Sequence, residues 1–359
     1  MSRTIQFLIF ISIFLFVYLG LNFYVSFRLS NLLNIKRNFL FYFIILFLTF
    51  SFPIAMFLER SLKGFFVDVF AIIGSTWMGI LFLLFCSLLI YEILKFIIRI
   101  DKHTAGVIII VFVLILTVYS IINASFINVK KVQIEIDDVN NLKIVQISDV
   151  HLGNIRNSDF LKRIVKKTNS LEPDIVVITG DLFDGGPKLN KDLISHIDEI
   201  QAPVYFVTGN HETYEGVDNV SNLLKDTKVN FLRNEVVNFR DIQIIGVDYS
   251  ENRNYLGEIL PKLNINKTKS SILLYHSPGG LKYSSENSID LQLSGHTHNG
   301  QIIPFNGFVR LAYKYIKGLH KYNEMYLYVS QGTGTWGPPM RLGSRNEITF
   351  IEVREKDKI

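Results

Sequence analysis

Leu142-Lys143-Ile144-Val145-Gln146-Ile147-Ser148-Asp149-Val150-His151 decides the fold of this chain. An apolar run of strand length stops at an aspartate and a histidine two residues apart. The strand it predicts, Leu142 to Ile147, therefore carries an oxygen donor and a nitrogen donor just past its carboxyl end. Open α/β sheets present their ligand-binding loops there. Such a pair can face one divalent cation.

Working outward, the same grammar repeats. A helix is expected over Ser158 to Ser170 and a strand over Asp174 to Thr179, which runs into Gly180-Asp181-Leu182-Phe183-Asp184. A helix from Lys188 to Ile200 and a strand from Val204 to Val207 lead to Gly209-Asn210-His211-Glu212, with a further helix around Val217 to Lys225. Later strands are expected at Ile242 to Val247, Ile272 to Tyr275, Leu291 to Leu293, Met325 to Val329 and Glu347 to Val353. Two of them end in chemistry: His276 follows one, and Gly295-His296-Thr297-His298 follows another. Helical patterning thins toward the end, so an α/β start gives way to a β-rich finish, in layered sheets flanked by helices.

One aspartate after a strand is usually a helix cap or turn residue, and one histidine is usually a hydrogen-bonded structural group. Five clusters at successive strand ends are different, because turns need no histidines. Glu212, in the third cluster, reads as structural.

The single cysteine, Cys86, lies in an apolar run. Neither a disulfide framework nor a thiolate metal site can form within one chain, so ligands must come from His, Asp and Asn. The formal charge is +5, but Lys and Arg are scattered without a basic run interleaved with aromatics. Nucleic acid is therefore not expected as a partner.

Composition splits the chain. Residues 1–125 are dominated by Phe, Ile, Leu and Val, whereas 131–355 reads as ordinary soluble protein, with a boundary near residues 125 to 131. Ile5 to Val25, Phe39 to Leu58, Val67 to Ile98 and Ala105 to Ala124 are each near or above the ~20 residues that cross a bilayer. They predict about four transmembrane helices, since backbone groups in hydrocarbon must pair within the segment. The first stretch is too long for a signal-peptide core and is followed by no small-residue cleavage site. Asp68 and Glu92 fall near the ends of the long third stretch and read as end-region residues. Arg28, Lys36, Arg37, Lys95, Arg99 and Lys102 lie in the first and third loops, against Arg3, Arg60, Lys63, Lys130 and Lys131 on the other side. That margin of about one charge favours cytoplasmic first and third loops and an extracytoplasmic C-terminal domain.

The five blocks D-x-H, G-D-x-x-D, G-N-H-E, lone H and G-H-x-H, all present without substitution, resemble the calcineurin-like metallophosphoesterases over roughly Val132 to Val353. Gly295 to Gln301 and Gly332-Thr333-Gly334-Thr335-Trp336-Gly337 are similar to a bacterial branch with membrane-associated and exported members. The resemblance implies two facing β-sheets with outer helices, here preceded by an all-α transmembrane region of a bacterial cell membrane protein. It also implies two divalent ions (Mn, Fe or Zn). Asp149, His151 and His298 would hold one and Asn210, His276 and His296 the other, with Asp181 bridging. A neutral Asn ligand preserves a net positive site for a phosphate oxygen.

In the reaction implied, a metal-activated hydroxide attacks phosphorus in line, without a phosphoenzyme. His211 would protonate the leaving oxygen and Asp184 would orient its ring. Arg341 and Arg345 in the tail are candidates to clamp a substrate phosphate, or simply surface arginines. Trp336 is a substrate platform or a loop-packing residue. The function expected is therefore hydrolysis of a phosphoester or diphosphate, with a phospholipid or lipid-linked diphosphate as the leading substrate. The alternative is a non-catalytic membrane receptor or scaffold, which the intact ligand set disfavours. A transporter would need intramembrane charges that these spans lack.

Overall fold

The computed structural model describes residues 3–62, 64–139, 141–185 and 189–355. They divide into two compact units, Met1–Ile121 with Gly337–Met340, and Ile122–Trp336 with Arg341–Ile359.

In the first unit the apolar stretches are helices: α1 (Arg3–Leu32), α2 (Phe39–Ser61), α3 (Phe65–Leu94) and α4 (Lys102–Ser125), the last running into the second unit. Each contains a segment long and apolar enough to cross a membrane. Asn38 starts α2 by accepting a 3.1 Å hydrogen bond from Phe41 N, which satisfies one of the unpaired donors of the first turn. Gly74 brings α3 against α2, since a Cβ there would lie 2.8 Å from Phe52 Cα. Small residues play this part where helices pack without a hydrophobic drive. Phe16, Phe57, Phe66 and Leu114 are exposed. An apolar surface of this extent suits acyl chains rather than water. Near the end of α3, Glu92 is paired with Arg28 Nε at 2.6 Å and with Lys95 Nζ at 2.5 Å, so it is a satisfied end-region carboxylate as the sequence reading has it.

The second unit holds two six-stranded mixed sheets. Its elements run β1 (Ile127–Ile136), β2 (Leu142–Ile147), α5 (Ser158–Asn169), β3 (Ile175–Thr179), β4 (Val204–Val207), α6 (Asn210–Glu215), α7 (Val217–Leu224), β5 (Val229–Phe231), β6 (Glu235–Phe239), β7 (Ile242–Gly246) and α8 (Tyr255–Ile259). It continues with β8 (Ser271–Leu274), α9 (Leu281–Glu286), β9 (Leu291–Ser294), α10 (Phe305–Ala312), β10 (Gly318–Tyr322), β11 (Met325–Val329) and β12 (Asn346–Glu355). The sheet orders are β1-β12-β2-β3-β4-β5 and β10-β11-β9-β8-β7-β6. The middle strands β2 to β4 and β7 to β9 pair in parallel.

Two-residue periodicity places the core. Ile144, Ile175 and Val177 meet Ile272, Leu274 and Leu293 in one layer, while Val145, Val176 and Ile178 point the other way onto Phe160, Leu161 and Ile164 of α5. Leu273 and Ile245 face Leu256 of α8 and Leu281 of α9. Strands buried on both faces read as continuous apolar runs, and helices cover their outer sides.

The helix expected over Lys188 to Ile200 is not formed. Lys188 lies outside the described residues, and beyond it stand two short 3₁₀ turns, Lys191–Ile194 and Ile197–Glu199. Ile194, Ile197 and Ile200 are the buried residues. A repeat of three keeps them on one side of a 3₁₀ turn, whereas an α-helix would rotate the third away.

Candidate metal centre

Every cluster read from the sequence arrives at a strand's carboxyl end. Asp149 and His151 follow β2, Asp181 and Asp184 follow β3, Asn210 and His211 open α6, His276 follows β8, and His296 and His298 follow β9. Short loops force unusual backbone there: Asp149, His151, Asp181, His296 and His298 all have φ between +48° and +71°. Left-handed conformations cost non-glycine residues energy and cluster where function demands them. Two glycines are required by close approach. A Cβ on Gly209 would stand 2.1 Å from Asp181 Oδ1, and one on Gly295 would stand 2.2 Å from Asp149 Oδ2.

The donors form groups able to hold an ion: Asp149 with His151 and His298, and Asp181 with His276 and His296. His151 Nε2 lies 3.0 Å from His298 Nε2, which is 3.3 Å from Asp149 Oδ1. His276 Nε2 lies 3.2 Å from both Asp181 Oδ2 and His296 Nδ1. Ligands ~2.0–2.2 Å from one ion stand ~3 Å apart at right angles, so these spacings fit a shared cation. Asp181 Oδ2 lies between the groups, 3.9 Å from His151 Nε2. The sharpest evidence of fit is Asn210, whose buried Oδ1 has no hydrogen-bond partner. A buried amide oxygen left unpaired is costly and calls for a ligand.

Charge tells the same story. Burial pushes His298 well down and His296 down to about 3, leaving neutral imidazoles, the form that binds metal. Burial also disfavours a charge on His276, but Asp181 and Asp149 outweigh it and lift the imidazole to about 10. Burial would raise Asp181 too; the charges of His276 and His211 win and hold it well below the usual carboxylate range. Asp149 goes up, chiefly by burial. Asp181 and His276 thus stand as a charged pair, while burial keeps His296 and His298 neutral.

Outer contacts fix these rings. His276 Nδ1 donates to Thr179 O at 2.7 Å, and Asp149 accepts from His296 N at 2.9 Å. Glu212, which the sequence reads as structural, accepts from the backbone N–H groups of Asp181, Leu182, Phe183 and Gly209, tying two ligand loops together.

Two expectations need correction. Asp184 holds His211 through its main-chain carbonyl, 2.5 Å from Nδ1, while its carboxylate lies 3.3 Å from His151 Nδ1 without a directed hydrogen bond. Gly185 takes a φ of 78° directly after it, and the carboxylate and carbonyl of Asp184 serve different rings. Arg341 is not a surface clamp: it is fully buried, and its guanidinium donates to the carbonyls of His298, Gly332 and Gly334 and to Asn346 Oδ1. Arg345 is exposed. Trp336 is half-exposed, with its backbone held on both sides by the Gln301 amide.

Tyr249 and Tyr313 were missed. Tyr313 hydroxyl lies 2.8 Å from His296 Nε2, and the Tyr249 ring packs on His276 and His296. Tyr249 follows β7 as the ligands follow their strands, a usable signal; Tyr313 had none.

Comparison with known proteins identifies the family. The sequence profile of the calcineurin-like phosphoesterases matches residues 142–300, which contain all seven candidate ligands. An uncharacterised metallophosphoesterase of Campylobacter jejuni is 34% identical over 98% of this chain and 99% of its own length. One from Aquifex aeolicus is 32% identical over 67% of this chain and 97% of its length. The transmembrane protein with metallophosphoesterase domain of Bos taurus is 37% identical over 59% of this chain and 53% of its length. With motif, geometry and a relative matched end to end, the chain belongs to the calcineurin-like metallophosphoesterase family.

Proposed function

We propose that this protein is a membrane-held phosphohydrolase of a bacterial cell membrane that cleaves a phosphoester or diphosphate bond carried by a lipid. The observation that carries the catalytic part is the unpartnered Asn210 Oδ1, buried among six further Asp and His donors. A retained receptor fold would have no reason to keep that oxygen unsatisfied. In this reading Asp149, His151 and His298 would hold one divalent ion and Asn210, His276 and His296 a second, with Asp181 placed to serve either. Such ions supply Lewis acidity and an acidified water when bound.

The remaining residues hold and move protons. The Asp184 carbonyl fixes His211 Nδ1–H, which leaves Nε2 turned toward the site, 4.0 Å from Asp181 Oδ2. In its imidazolium form the ring gives its Nε2 proton to the departing oxygen and is left neutral with Nδ1–H. The Asp184 carboxylate steadies His151, and Arg341 fixes the loop of His298 from behind. Arg345, the exposed arginine of the tail, is left to meet substrate.

The lipid part rests on the four apolar helices, on the bovine relative's name as a transmembrane protein, and on the headgroup phosphates that lie beside any anchored domain. The loop charges, by a margin of about one, favour a catalytic domain outside the cytoplasm. The test is hydrolysis by the full chain, purified in detergent with Mn, Fe or Zn, of phospholipids and lipid diphosphates beside nucleotides and phosphopeptides. Preference for the lipid esters is expected. Turnover of nucleotides alone would overturn the lipid reading, and no turnover of any ester would favour the scaffold alternative.

A further inference from the structure

α10 is amphipathic in the reverse of the usual sense. A surface helix normally turns its apolar stripe to the core. This one rests on the domain by its Asn306 side, against Gly300, and none of its residues is buried. Phe308 and Leu311 face outward, 62% and 85% exposed, and Ile303 just before the helix is 42% exposed. Gln301 adds to the same rim, because its side chain holds the backbone of Trp336, whose ring is 51% exposed. Large outward aromatics and leucines grouped on one helix mark an interaction surface.

Charge identifies the partner. No aspartate or glutamate occurs between Asp290 and Glu324, whereas Arg310, Lys314 and Lys317 fall within or just after the helix, all exposed. An apolar face flanked by lysine and arginine is the pattern of a helix lying in a bilayer interface, with acyl boundary beneath and anionic headgroups around. A protein partner would not need the missing carboxylates, and this chain already carries four helices long and apolar enough to cross a membrane.

The geometry points to α10 as an interfacial helix that seats the catalytic domain on an anionic lipid surface. Its apolar face enters the headgroup and acyl boundary, and Arg310, Lys314 and Lys317 pair with lipid phosphates. The helix ends at Tyr313, whose hydroxyl touches His296. Seating α10 therefore sets the metal centre at the depth of the headgroup phosphates. This deepens the lipid reading above and rests on the chain being held at a membrane.

The experiment reads depth, not turnover. The full chain, with Cys86→Ser to remove its cysteine, carries Phe308→Cys, Leu311→Cys or, as control, the exposed Lys225→Cys, each labelled with a nitroxide. It is reconstituted in vesicles of phosphatidylcholine and phosphatidylglycerol, and metal content confirms that each variant is folded. Relaxation by oxygen and by a water-soluble nickel chelate then gives immersion. At positions 308 and 311 oxygen should dominate and the chelate be excluded, at ~5–10 Å depth, while position 225 stays fully open to the chelate. Chelate access at 308 and 311 equal to that at 225 would overturn the proposal. So would spin–spin broadening at 308 that disappears on dilution with unlabelled chain, which would mean that a second copy covers the face. Immersion without lipid hydrolysis would leave α10 as a lipid-seating helix and defeat only the substrate assignment.

Discussion

The main-chain carbonyl of Asp184 accepts from His211 Nδ1 at 2.5 Å, while the carboxylate of the same residue turns to His151 Nδ1 at 3.3 Å. Side-chain replacement can therefore separate two functions of one residue. His211→Ala should slow a substrate with a poor leaving group by roughly 10²–10⁴ and spare one with a very acidic leaving alcohol. Asp184→Ala keeps the carbonyl, so it should show no such leaving-group dependence. It should instead weaken metal binding by about 10–100-fold through His151, recovered by raising metal concentration. Rate against leaving-group pKa for both variants is the measurement; parallel slopes would mean that the carboxylate serves His211.

Asp181 Oδ2 stands 3.2 Å from His276 Nε2, 3.9 Å from His151 Nε2 and 4.0 Å from His211 Nε2, whereas Asp149 Oδ1 stands 3.3 Å from His298 Nε2 and 4.0 Å from His276 Nε2. Asp181→Asn should accordingly lose more bound metal per chain than Asp149→Asn, since one lost charge is felt at both positions. Elemental analysis of the purified variants decides this. An Asp181→Asn chain with full metal content and activity would refute the bridging role.

Gly209→Ala and Gly295→Ala test whether the glycines of the motifs are steric. A methyl would arrive 2.1 Å from Asp181 Oδ1 or 2.2 Å from Asp149 Oδ2, so either loop must shift. Overpacking of this kind costs roughly 1–3 kcal/mol, which thermal unfolding would register together with loss of metal. A variant with unchanged Tm and metal content would show that the loops yield freely.

The strand ends that carry chemistry were legible because their strands are central. β3, β4, β8 and β9 are buried along their length and β2 at all but Lys143, and they read as mainly apolar runs, interrupted in β2 by Lys143 and Gln146 and in β9 by Gln292, that lead into ligands. The four strands without a sequence signal, β1, β5, β6 and β10, are the four edges of the two sheets. Edge strands alternate and carry charge, as in Val132, Ile134 and Ile136 set between polar residues, which blurs them into loop. The Asp184 carbonyl could not be read at all, since a main-chain contact leaves no residue type behind. Arg341 misled for a different cause: a Gly- and Pro-rich tail reads as surface, yet its carbonyls fold around a buried guanidinium.

That burial makes Arg341 a stability residue. Arg341→Met would strand the carbonyls of His298, Gly332 and Gly334, at ~1–3 kcal/mol for each group left unsatisfied. A marked fall in Tm with loss of metal is expected, whereas Arg345→Met, at an exposed position, should leave Tm unchanged and raise KM. If Arg341→Met kept its Tm and changed only KM, the arginine would be a substrate clamp after all.

The most direct test of the whole account is hydrolysis of an artificial aryl phosphate mono- or diester by the full chain in detergent, before chelation, after it, and after restoring Mn, Fe or Zn. Activity should vanish with the metal, return with it, and be absent throughout in Asp181→Asn. Hydrolysis that survives chelation and the Asp181→Asn substitution, or a metal-loaded chain inert on every ester, would contradict it.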